Sequence, residues 1–144
     1  MRSMFTRWPI LLLCLFTFMP ALADEAPAIS DAWIAEAPPG VGVLVGYFTL
    51  HNLGASQLTL TGIQSDDFNM VMMHKSIVEN GMARMEHQSS VSVPAGGSVR
   101  FEQGGLHLML MGPKRSLRAG GSVVLEFSLA DGSRLQQAFP VRRR

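Results

Sequence analysis

Between Asp24 and Arg144 the sequence sustains no 3.6-residue apolar period, yet short runs rich in β-branched and aromatic residues keep returning between glycine, proline and asparagine breaks. A helix at the surface of a core needs that period to bury one face, whereas a strand needs only alternation. Ile29 to Ala35 precedes the break Ala37-Pro38-Pro39-Gly40, and Val43 to His51 ends at Asn52-Leu53-Gly54. Leu58 to Ile63 alternates and is closed by Asp66-Asp67, and Met70 to Ile77 runs into Glu79-Asn80-Gly81. Asn-Gly between strands favours a tight hairpin, and Asp131-Gly132 repeats the signal further on. Met82 to His87, Ser90 to Val93, Val99 to Glu102, Leu106 to Met111, Ser122 to Ala130 and Arg134 to Val141 complete the set. Many short strands at near-regular spacing predict an all-β fold, an antiparallel sandwich or Greek-key barrel.

What precedes Asp24 is of another kind. Arg2 and Arg7 supply positive charge without a negative one, Ile10 to Leu22 is an apolar run broken only by Thr17 and Pro20, and Ala21-Leu22-Ala23 offers a small-x-small cleavage pattern. Residues 1–23 therefore read as a secretory signal peptide removed after Ala23, leaving 24–144 as a single β-domain with no membrane anchor after cleavage. The run is shorter than the roughly 20 apolar residues of a spanning helix. Leu13 stands before Cys14 where a lipoprotein would be expected to carry a small residue. Cleavage removes the one cysteine, so no disulfide or thiolate is available and the core must hold the exported chain together. It also lowers the 12 basic residues to 10 against 11 acidic ones, a balance that points to neither nucleic acid nor an anionic membrane as partner. Arg142-Arg143-Arg144, the one basic cluster, reads as a solvated end.

Methionine is what the fold alone does not explain. Seven of the 10 lie between Met70 and Met111, whereas methionine used as adaptable core filler has no reason to bunch. Three of the four histidines sit two residues from a methionine: His74 after Met72, His87 after Met85, His107 before Met109. Side chains two apart on a strand share a face about 6.5–7 Å apart, so an imidazole and a flexible thioether can lean onto one ion. Thioether sulfur is soft and uncharged and selects Cu(I) over Zn(II). It is also the sulfur ligand that survives in an oxidising compartment. His51, beside Asn52 with nothing soft near it, reads as a surface or hydrogen-bonded histidine.

His74, Met85, His107 and Met109 together form the spacing H-x10-M-x21-H-x-M. This resembles the signature of the PCuAC family of bacterial periplasmic copper chaperones, and composition alone would produce it about once in two thousand such chains. Asp31-Ala32-Trp33, Gly46-Tyr47-Phe48-Thr49-Leu50-His51-Asn52, Pro94-Ala95-Gly96-Gly97 and His107-Leu108-Met109-Leu110-Met111-Gly112 also look like that family's framework, from about Ala28 to Val141. The resemblance implies a cupredoxin-like β-sandwich that holds one Cu(I) per chain near its surface through His74, Met85, His107 and Met109. It further implies a periplasmic monomer that hands copper towards the copper A centre of cytochrome c oxidase, with an oxidase subunit or a Sco-type assembly factor as recipient. Lys75-Ser76 stands where some members carry a methionine after the first histidine, and the His/Met-rich tail of other members is absent. Met72 and Met111 read as core or rim packing, and His87, on Met85's face, as an auxiliary group.

Three functions compete. A copper carrier and a periplasmic copper buffer without a dedicated recipient both predict one bound Cu(I). An enzyme is not expected: a blue-copper site wants a cysteine the cleaved chain lacks, and no Gly-x-Ser-x-Gly elbow occurs. A plain structural β-sandwich, with His and Met as packing, predicts no copper uptake at all.

Overall fold

The computed structural model describes residues 25–144, so the leader expected over 1–23, with Cys14, lies outside the described residues. Ten strands follow one another: β1 (Ala28–Ala35), β2 (Val43–His51), β3 (Leu58–Gln64), β4 (Phe68–Glu79), β5 (Met82–Gln88), β6 (Val91–Val93), β7 (Ser98–Phe101), β8 (Leu106–Pro113), β9 (Ser122–Leu129) and β10 (Arg134–Arg142). Among the described residues there is no helix. The strands hydrogen-bond in the order β5-β4-β8-β7-β2-β1-β10-β9-β3-β6, with β8 also pairing β2. Two of these pairings, β1 with β10 and β7 with β8, are parallel, and the rest are antiparallel.

The continuous sheet folds over so that β2 and β7 face β9 and β10. Phe48 of β2 stacks on Phe101 of β7 at 4.2 Å between ring centroids and meets Phe127 and Phe139 edge-on at 5.2 and 5.8 Å. All four rings are buried, with Ile34, Leu50, Leu60, Leu108, Leu110 and Leu125 around them. Each such side chain contributes about 1.5–3 kcal/mol by leaving water, the core that a chain without disulfides requires. Alternation assigns the faces. In β9, Val123, Leu125, Phe127 and Leu129 point inward while Val124 is exposed. In β8, Leu108 and Leu110 are buried while Met109 and Met111 are half-exposed on the other face.

Local chemistry fixes the connections. Asn80 and Gly81 both have positive φ, 53° and 76°, the tight turn that joins β4 to β5. Gly112 has φ 62° and abuts the Asn69 side chain, so a Cβ there would be both strained and obstructed. Buried Asn52 donates to the carbonyls of Ser56, Val93 and Pro94 at 2.7, 3.1 and 3.1 Å and accepts from the Gly54 amide at 3.1 Å. It thereby ties the end of β2 to the Pro94-Ala95-Gly96-Gly97 loop. Asp31 takes φ 54° where the β1–β2 register shifts between Ser30 and Trp33, a bulge beside the Trp33–Tyr47 ring pair.

Candidate metal centre

His74, His87 and His107, with Met70, Met72, Met85, Met109 and Met111, gather on the face of β5, β4 and β8 that points away from the core. In β4, Met73 turns inward and is 4% exposed, so Met70, Met72, His74 and Ser76 share the outer face. Strand register then lays the groups out in rows. His74 stands directly opposite His87 of β5 and His107 of β8, with ring centroids 5.7 and 6.1 Å away. One step along, Met72 faces Met109, which in turn faces Val45 of β2, and one step further Met70 faces Met111. On the other side of the histidine row, Met85 faces Ser76.

His74, His107 and Met109 are therefore brought together, with Met109 on the diagonal from His74. Met85 is not their direct neighbour. It lies on the opposite diagonal, on the edge strand, and is 60% exposed. From Met109 it is two strands and four residues away, roughly 16 Å between backbones, so only its long flexible side chain could reach back to the histidines. Sequence spacing could not show this offset, nor that His87 faces His74 and Met72 faces Met109. Those facts belong to cross-strand register, which i, i+2 parity does not contain. Met72 and Met111 are half-buried at the outer face and are not part of the core. His51 accords with its sequence reading: its Nε2 is 2.8 Å from Ser30 Oγ, away from the cluster.

The two central imidazoles are prepared differently. His107 is 5% exposed, and its Nδ1–H donates to the Gly105 carbonyl at 3.0 Å, which turns the Nε2 lone pair outward. His74 has both ring nitrogens buried and, among the described residues, without a hydrogen-bond partner. Burial, with the charges of His107 and His87 as smaller contributions, lowers its pKa below the ordinary 6.5. His74 is thus a neutral ring with an unsatisfied lone pair, a state that costs about 1–3 kcal/mol unless something accepts that pair. Among the described residues no three His, Cys, Asp or Glu side chains are placed to hold a metal together, so thioethers would have to complete any ligand set. Neutral nitrogen and thioether sulfur form a donor set suited to a soft monovalent cation.

Comparison with known proteins identifies the family and the fold. Residues 27–141 match the LpqE-like family, described as "Putative lipoprotein LpqE-like". Over 124 residues the chain is 30% identical to the "Putative lipoprotein Lxx21020" of Leifsonia xyli subsp. xyli, covering 85% of this chain and 74% of that protein. Its fold is similar to that of the copper(I)-bound form of DR1885 from Deinococcus radiodurans, with TM-score 0.63 and 28% identity over 87% of this chain and 82% of that one. The copper-bound PCuAC domain from PmoF2 shares the fold at TM-score 0.70 and 17% identity, over 85% of this chain and 97% of that domain. The chain belongs to the LpqE-like family and has the PCuAC fold.

Proposed function

We propose that this is an exported copper-binding protein that holds one Cu(I) through His74, His107, Met109 and Met85 and passes it to a recipient protein. The observation that carries the reading is the pair of buried, unpartnered nitrogens of His74 beside the oriented His107 imidazole and the Met109 thioether. Cu(I) satisfies that lone pair and accepts thioether sulfur, which a zinc site would not use. The copper(I)-bound state of DR1885, 28% identical to this chain, supports the same cargo. Binding, not catalysis, is the role: the ligands' task is to hold the ion near the surface and release it.

The test is titration of Cu(I) against a competing chelator with the wild type and a His107→Ala/Met109→Ala variant. One ion per wild-type chain and weakened uptake by the variant is the expected result; equal uptake by the two refutes the assignment. Delivery to the copper A centre of cytochrome c oxidase is the finer form of the proposal. Mixing loaded protein with the copper-free oxidase subunit tests it, and transfer no better than from free copper leaves a periplasmic buffer in its place.

Export through a leader over 1–23 is part of the proposal, with residues 24–144 as the copper-binding domain in the periplasm. The lipoprotein descriptions of the family and of the Leifsonia relative favour a second reading, acylation at Cys14. Intact-mass measurement of the processed protein separates them: an N-terminus at Asp24 supports cleavage after Ala23, and an acylated Cys14 overturns it.

A further inference from the structure

Two of the cross-strand pairs on the outer face are methionine against methionine. Met70 opposes Met111, and Met72 opposes Met109. Directly opposed residues have Cβ atoms about 4.5–5.5 Å apart, and diagonal neighbours remain within reach of long side chains. The two pairs therefore form a two-by-two array of thioethers that begins at the histidine row and runs towards the Phe68–Pro113 end of the sheet. The β4–β5 pairing runs from Met73–Gln88 to Glu79–Met82, so Met70 and Met72 precede the stretch that β5 flanks. Met70 is 54% exposed.

Packing does not call for methionine here. The core face of the same strands uses Val71, Leu106, Leu108 and Leu110, with Met73 as its one methionine, and the outer face of β2 beside the array uses Val43 and Val45. Aliphatic side chains would cover a half-exposed sheet surface as well. What four facing thioethers add is soft, neutral donor chemistry without a proton to lose.

We propose that Met70 and Met111, with Met72 as third donor, form a second station for a soft monovalent cation, next to the His74/His107 site and sharing its border at Met109. The proposal rests on the copper-binding reading for its cargo but involves different residues. In this arrangement an ion arriving at exposed Met70 moves along one face, donor by donor, to the less exposed histidines. Lacking imidazole, the outer station is the weaker of the two.

Ag(I), a redox-inert stand-in for Cu(I), tests this with protein carrying 13C-labelled methionine methyl groups. In the wild type the first equivalent should shift Met85 and Met109, and the second should shift Met70, Met72 and Met111. Met82, 71% exposed and opposite Glu79, serves as internal control for adventitious binding. Met70→Leu/Met111→Leu, which preserves volume, should lose the second step and keep the first. His74→Ala/His107→Ala should still show the Met70 and Met111 shifts. Saturation of the wild type at one equivalent, or Met70 and Met111 moving no more than Met82, would overturn the second station. Met70 and Met111 responding first, with Met85 and Met109 unmoved, would sink the four-residue site while leaving the station standing.

Discussion

Met73 and Met109 are both methionines on the paired strands β4 and β8, but their side chains lie on opposite faces of the sheet. Truncating each to alanine should therefore break different things. Met73 is buried in the core cluster and pairs across to buried Leu108, and removing a buried methionine side chain costs about 2–5 kcal/mol because the cavity closes only in part. For a domain of this size each kcal/mol lowers the melting temperature by about 3–6 °C, so Met73→Ala should melt roughly 6–30 °C lower. Met109 gives up only half-buried surface, and Met109→Ala should cost about 1 kcal/mol or less. Copper should show the reverse order. Met109→Ala should weaken Cu(I) binding by at least the 10–100-fold that loss of an outer partner costs a metal site, and Met73→Ala should weaken it far less, because the Met73 side chain points into the core, away from the face that carries His74, His107 and Met109. Circular-dichroism melting of the metal-free proteins and chelator competition below the lower melting point measure the two effects. Equal melting losses, or lost copper affinity in folded Met73→Ala, would refute the assignment of faces.

Other outcomes follow from the same structure. Phe48→Ala removes the ring on which Phe101, Phe127 and Phe139 converge and should cost about 3–5 kcal/mol in denaturant unfolding. Asn52→Ala removes the amide that donates to the Ser56, Val93 and Pro94 carbonyls and accepts from the Gly54 N–H, and should cost about 1–3 kcal/mol, with faster amide exchange around Pro94–Gly97. His74 has a folded pKa below its unfolded value of 6.5, so its contribution to stability is complete above pH 6.5 and is lost as pH falls through the folded value. The melting temperature of the metal-free wild type should accordingly drop between pH 7.5 and 5 by more than that of His74→Gln; an equal drop would contradict this. Met85→Leu should weaken Cu(I) binding less than Met109→Leu in the same competition assay, because Met85 sits apart on the edge strand.

The fold was legible because β-sheet parity is local. Every strand read from residue types is present, with ends moved by one or two residues, as where Phe68 and Glu79 extend the run read as Met70 to Ile77. Asn80-Gly81 makes the hairpin its dipeptide announces. Met70, Met72 and His74 share a face, as their spacing requires. Relations between distant segments were not legible. The parallel pairing of β1 with β10 joins the two ends of the domain, and nothing local in Ile34 or Val141 encodes it. Likewise His87 opposite His74, and Met72 opposite Met109, depend on hairpin length and on how the layers pack. The half-exposed place of Met111 and the lateral offset of Met85 follow from that register.

The edge position of β5 has a kinetic consequence. Apart from Gln88 its side chains are exposed, and among the described residues β4 is the only strand that pairs with it. Strands of that kind open locally at a small fraction of the global unfolding free energy. Where Met85 serves as a ligand, one donor rides on the edge strand β5 while His74, His107 and Met109 stay on the inner strands β4 and β8. The dwell time of the ion is then governed by how often β5 parts from β4, and an incoming donor can take Met85's place before the other bonds break. Affinity and release are thereby assigned to different strands, and stiffening the Asn80-Gly81 turn should slow departure of the ion more than it tightens its hold.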